Sequence, residues 1–115
     1  MGRDPDHTII DRPWTYDILG FNYQMDKADP GMSFIDLILE KESLVRRLRF
    51  YGPVNLKIEE GFPRPTRGMA ILDVRSRQLE SIGVEVADFE ASSGAVTFMA
   101  RTVVDLDRLE QPISA

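Results

Sequence analysis

Between Leu48 and Pro63 the chain reads Leu48-Arg49-Phe50-Tyr51-Gly52-Pro53-Val54-Asn55-Leu56-Lys57-Ile58-Glu59-Glu60-Gly61-Phe62-Pro63, two alternating segments divided by a Gly-Pro step. Side chains of an extended chain point to opposite faces with a period of two, so the pattern implies β structure. It directs Leu48 and Phe50, then Val54, Leu56 and Ile58, toward a core. Arg49, Asn55, Lys57 and Glu59 are directed toward water.

Trp14, Tyr16, Ile18, Phe21, Tyr23 and Met25 supply the large side chains of a first strand, broken or bulged near Gly20. Asp29-Pro30-Gly31 marks a loop, since proline presets φ and glycine admits positive φ. The stretch 33–51 has two readings. As a helix over 33–50 it has a Ser33-x-x-Asp36 capping box and Gly52-Pro53 as a stop, which would make the domain α+β. As a hairpin, Ile35, Leu37 and Leu39 share one strand face, Lys41-Glu42-Ser43 turns, and Leu44, Leu48 and Phe50 line the return strand. The hairpin is preferred, because a helix would strand Ile35 and Leu39 on its polar face. Downstream, Met69 to Arg75 reads as a strand and Ser76 to Ser81 as a turn or helical step. Val84 and Val86 lie on a further strand, and Val96, Phe98, Ala100 and Val104 on one face of another. The expected fold is mainly β: an antiparallel meander of about seven strands forming a sandwich or a strongly curved sheet.

At 115 residues, with 43% hydrophobic and 29% charged, the chain suits one globular domain. We expect a flexible polar leader at 1–12, a single β domain at 13–110 and a tail at 111–115. No apolar run reaches the roughly 18 residues that span a bilayer, and the N-terminus lacks the apolar stretch of a secretory signal. A cytoplasmic location is therefore expected, without membrane contact.

The chain has no cysteine and one histidine. Disulfides, thiolate catalysis and zinc–cysteine sites are thereby excluded. His7, the one imidazole, stands in the leader, so catalysis is not expected, nor any metal or cofactor. Asp105 and Asp107 would share a strand face, as would Asp36 and Glu40, but neither pair has a third ligand at a metal-binding spacing. Ser92-Ser93 has no histidine to activate it, and the glycines match no phosphate or dinucleotide loop.

Charge is segregated along the chain although the net charge is only -5. From Arg46 to Arg77 eight basic residues face three acids, while both flanks are acidic. One reading is cross-strand pairing of basic with acidic strands. A sharper reading makes Arg64 and Arg67, in a proline-stiffened loop with Phe62 as an apolar anchor, the contact with an acidic partner; arginine's planar fork suits carboxylates. Trp14, Tyr16, Tyr23 and Tyr51 suit a core more readily than an aromatic binding surface. The acidic balance argues against nucleic acid.

The stretch Val45 to Phe62, with the later Gly94-Ala95-Val96-Thr97-Phe98-Met99-Ala100-Arg101, loosely resembles small all-β bacterial proteins, including immunity proteins of polymorphic toxin systems. The resemblance implies a cytosolic, non-enzymatic module that binds another protein, such as a toxin, or a second copy of itself. It carries no site residues with it. The other open reading is a small-ligand binder, with a cavity lined by Phe34, Phe50 and Phe98.

Overall fold

A computed structural model describes residues 4–62, 68–89 and 94–109. Among them the chain forms eight strands, β1 (Asp17–Gln24), β2 (Phe34–Lys41), β3 (Leu44–Tyr51), β4 (Val54–Ile58), β5 (Met69–Asp73), β6 (Val84–Asp88), β7 (Val96–Ala100) and β8 (Thr102–Asp105), and a one-turn helix, α1 (Leu106–Leu109). Two four-stranded sheets result, in the orders β1-β2-β3-β8 and β4-β7-β6-β5, every neighbouring pair antiparallel. The mainly β, antiparallel expectation therefore holds.

The stretch 33–51 is the hairpin. Glu42 and Ser43 both adopt positive φ, 50° and 71°, as a two-residue turn with the right-handed twist of its strands requires. Ile35, Leu37 and Leu39 are fully buried opposite Phe50, Leu48 and Arg46. The helical alternative fails with its cap: the Ser33 hydroxyl accepts the N–H of Asp26 at 2.9 Å, and Asp36 instead meets Arg49. The break expected near Gly20 is a register shift between Ile18 and Gly20 that leaves Leu19 exposed.

The two sheets enclose one core. Phe50 and Phe98 meet edge-to-face at its centre, ring centroids 5.0 Å apart. Both are almost fully buried, and Phe34 lies on the outer face beneath Arg49, so these three phenylalanines line no common cavity.

Four expectations need correction. The final strand does not run on with Val104 inward; it changes sheets at Arg101, which reverses its inside–outside parity, so Val103 is buried instead. Val54, Leu56 and Ile58 do not face the core but are 42%, 37% and 45% exposed. Asn55 stands at φ 56° inside a register shift between Val54 and Lys57, which spoils the alternation on a strand at the sheet's margin. Leu44, paired with Lys41 beside the hairpin turn, lies beyond the core and is also exposed. Finally, part of the stretch assigned to a leader is paired: Asp73 N–H donates to Pro5 O and His7 N–H to Ile71 O, so residues 5–7 lie along β5, and Ile10 enters the core.

Candidate functional site

The chain crosses between sheets twice at one end of the sandwich, at Gly52-Pro53 and at Arg101. The crossings are stitched together: Arg101 N–H donates to Tyr51 O at 2.8 Å, Gly52 N–H to Ser33 O, and Gly83 N–H to Ala100 O. Glycine is required at two of these positions. Gly52 has φ +64°, and a Cβ on Gly83 would sit 2.6 Å from the Arg101 carbonyl oxygen. The backbone of Arg101 is thus held from both sides.

Around these crossings lies an open groove of about 650 Å³, with Tyr23, Met25, Pro53, Val54, Ile82 and Arg101 among its walls. Its size falls within the roughly 300–1,000 Å³ usual for ligand sites. Tyr23, Met25 and Val54 remain 38%, 61% and 42% exposed, leaving a partly apolar surface open to solvent. Asp26, Lys27 and Glu80 add charge to the lining, which is formally neutral once Arg101 is included. The carboxylate of Asp26 accepts the N–H groups of Ala28 and Asp29 and so shapes its own loop.

Arg101 differs from the arginines of β3 and of the turn after β5. Arg49 pairs with Asp36 through two bonds of 2.8 and 3.0 Å, and that carboxylate raises the guanidinium pKa further. Arg47 pairs with Asp107, Arg75 with Asp73, and Arg77 with Asp4 and Glu85. Arg46 points inward onto Asp105, 4% exposed, and also donates to Ile9 O. Burial opposes the charge on Asp105, but hydrogen bonds from Arg46 and from the N–H groups of Asp107 and Arg108 hold its pKa below the usual range. Much of the segregated basic charge is thereby matched within the domain. Arg101 reaches only the Met32 sulfur, at 3.7 Å, and meets no carboxylate among the described residues.

Of the residues singled out in the sequence, Phe62 is half-buried and packs edge-to-face on Phe21, 5.9 Å between centroids. Arg64, Arg67, Ser92 and Ser93 lie outside the described residues. Asp105 and Asp107 do not form a free acidic pair, since each is engaged by its own arginine. Among the described residues no group of three acidic or histidine side chains is placed to hold a metal ion, and no helix is long and apolar enough to cross a membrane. His7 Nδ1 accepts the N–H of Ile9 at 3.0 Å, and burial lowers its pKa, with Asp73 acting against and Arg75 with the shift. A smaller cleft of about 350 Å³ opens beside it, with Trp14 in its wall.

The groove escaped the sequence because its walls come from five separated stretches. The one local hint is Arg101 itself, a cation interrupting an apolar alternation. Set against family models, curated proteins and solved structures, the chain finds no match.

Proposed function

We propose that this domain is a non-catalytic binding module that engages another protein through the groove at the sheet crossings. The reading rests on one observation: the inner faces of the two sheets share one buried core, while an open, partly apolar groove of about 650 Å³ lies on the surface. Contiguous exposed apolar surface of this kind marks contact sites, because a soluble chain otherwise gains by burying it. Arginines matched internally to carboxylates argue for a structural use of much of the basic charge, and the open groove is a surface feature that such pairing does not explain. A toxin partner, which the resemblance to immunity proteins implies, would be one case of such binding in the cytoplasm.

The test is quantitative affinity capture from the source organism with wild type and a Met25→Lys, Val54→Lys variant of unchanged circular dichroism. Both side chains are exposed, so the fold should survive, and two desolvated charges should weaken a groove complex by a hundredfold or so, at about 1.4 kcal/mol for each factor of ten. Partners retained by that variant but lost from Arg64→Glu, Arg67→Glu would overturn the groove in favour of the loop at 63–67.

A further inference from the structure

We infer that residues 4–8 form a strap that opens when His7 gains a proton, baring the outer edge of β5 while both sheets stay folded. None of these residues lines the groove at the sheet crossings.

Three observations carry it. The first is how lightly the strap is held. Pro5 O accepts the Asp73 N–H at 2.9 Å and His7 N–H donates to Ile71 O at 2.8 Å, with Asp6 opposite Leu72 between them. Pro5, Asp6 and Thr8 are exposed, Asp4 and His7 are half-buried, and no side chain of the strap belongs to either apolar cluster. Its outer anchor is polar, the ion pair of Asp4 with Arg77 at 2.5 Å. A segment held by such contacts opens at lower cost than the strand beneath it, whose side chains fill both clusters. The opening has a fixed end, because Ile9 O accepts from Arg46 and Ile10 is buried in the core.

The second is the state of the imidazole. His7 Nδ1 accepts the N–H of Ile9 at 3.0 Å, so the ring ties the strap to the fixed chain beyond it only while that nitrogen is unprotonated. A proton there sets two N–H groups against each other and places a charge on a half-buried ring. Asp73 is the carboxylate that faces it, but Arg75 already engages that group through bonds of 2.5 to 3.1 Å, and the Arg75 guanidinium repels an imidazolium. Asp6, Asp11 and Arg12 line the cleft beside the ring. With burial as the largest influence, the neutral ring is favoured in the closed strap.

The third is what the strap covers. Ile71 C=O and Asp73 N–H face away from the sheet, and the strap takes both. Its own outer side is a poor template for another strand, since Pro5 has no N–H and Asp6 carries a charge. The strap therefore ends the sheet. Behind it lies a margin of four buried apolar residues, Met69 to Leu72, whose edge is open to pairing once the strap leaves.

Neutral imidazole favours the closed strap and imidazolium the open one, so closure is complete above 6.5 and weakens as pH falls through the closed-state value. At pH 5 the gain in opening has a ceiling of about thirtyfold, because an open-state imidazole at 6.5 lies about 1.5 pH units higher.

The experiment is amide hydrogen exchange by NMR on the whole chain at pH 7.5 and pH 5, corrected for the intrinsic rate. It reads the Asp73 N–H under the strap and the Val86 N–H on β6, a strand with neighbours on both sides. In wild type, protection at Asp73 should fall severalfold toward that ceiling at pH 5 while Val86 holds. His7→Asn places a side-chain oxygen near the position of Nδ1 that accepts but does not titrate, so its Asp73 protection should be the same at both pH values. Equal protection at the two pH values in wild type overturns the inference. A loss shared by His7→Asn overturns it too, since other groups then drive the opening. A loss at Val86 as large as that at Asp73 means that the whole domain opens and that no separate strap exists.

Discussion

β4 and β5 are the two margins of one sheet, five residues each, and they reverse what their sequences suggest. β4 alternates apolar and polar residues, yet all five are exposed; β5, Met69-Ala70-Ile71-Leu72-Asp73, shows no alternation, yet its first four residues are buried. The difference lies in what covers each strand. Met69 and Ile71 face the main core, while Ala70 and Leu72 join Val74 and Ile82 in a second cluster. Residues 5–7 run along the free edge of β5 and the 3-10 turn Pro13–Thr15 packs beside it. β4 has no such cover among the described residues. Period-two alternation says which side chains share a face; it does not say that anything lies over that face.

The largest expected effect tests that contrast by truncating one aliphatic side chain on each margin. Ile71→Ala empties a fully packed position and should cost about 3 kcal/mol in urea unfolding, within the range for buried aliphatic truncations. Leu56→Ala, on a side chain already 37% exposed, should cost less than about 1 kcal/mol. Equal losses at the two positions would mean that β4 is covered as fully as β5.

Local pattern is a sound guide where a second strand covers the face it defines. The hairpin at 34–51 followed from apolar spacing at Ile35, Leu37, Leu39, Leu48 and Phe50, and the irregularity in β1 followed from Gly20. The failures share a cause. Arg101 changes the parity of its strand because its neighbours before and after belong to different sheets, a fact of topology that no window around Val104 contains. Arg46 meets Asp105 from 59 positions away, and Pro5 meets Asp73 across most of the domain. The groove is the extreme case, with walls from five stretches and a cation, Arg101, that meets no carboxylate among the described residues, unlike the arginines of β3.

A middle-sized effect sharpens the role of cover. Deleting residues 1–7 removes the two backbone bonds that Pro5 and His7 make to β5, and with them about 1–3 kcal/mol of stability at the usual net worth of such bonds. The bared margin should then pair with other chains, so the truncated protein should associate with rising concentration in sedimentation while wild type does not. A truncated chain as stable as wild type would show that the segment rests on β5 without supporting it.

The smallest effect is a dependence on pH that belongs to the covered margin alone. His7 accepts the Ile9 N–H at Nδ1, which requires that nitrogen to be unprotonated, and burial holds its pKa below the ordinary 6.5. Arg75 reinforces the shift and Asp73 opposes it, while Asp6, Asp11 and Arg12 share the adjoining cleft. A base whose folded pKa is depressed binds its proton more readily when unfolded. The stability it confers is therefore complete above 6.5 and is lost as pH falls through the folded value. Asp73, held at about 2 by hydrogen bonds from Arg75, stays ionised throughout that interval and contributes nothing to the slope. Wild type should thus unfold at lower urea at pH 5 than at pH 7.5, and His7→Gln should flatten the difference. The chain lacking residues 1–7 should lose the same component, because it has no imidazole left to titrate. An undiminished slope in both variants would move the titration to other groups and remove His7 from the account of how β5 is covered, whereas a slope lost in both would tie it to the one margin that the N-terminal segment protects.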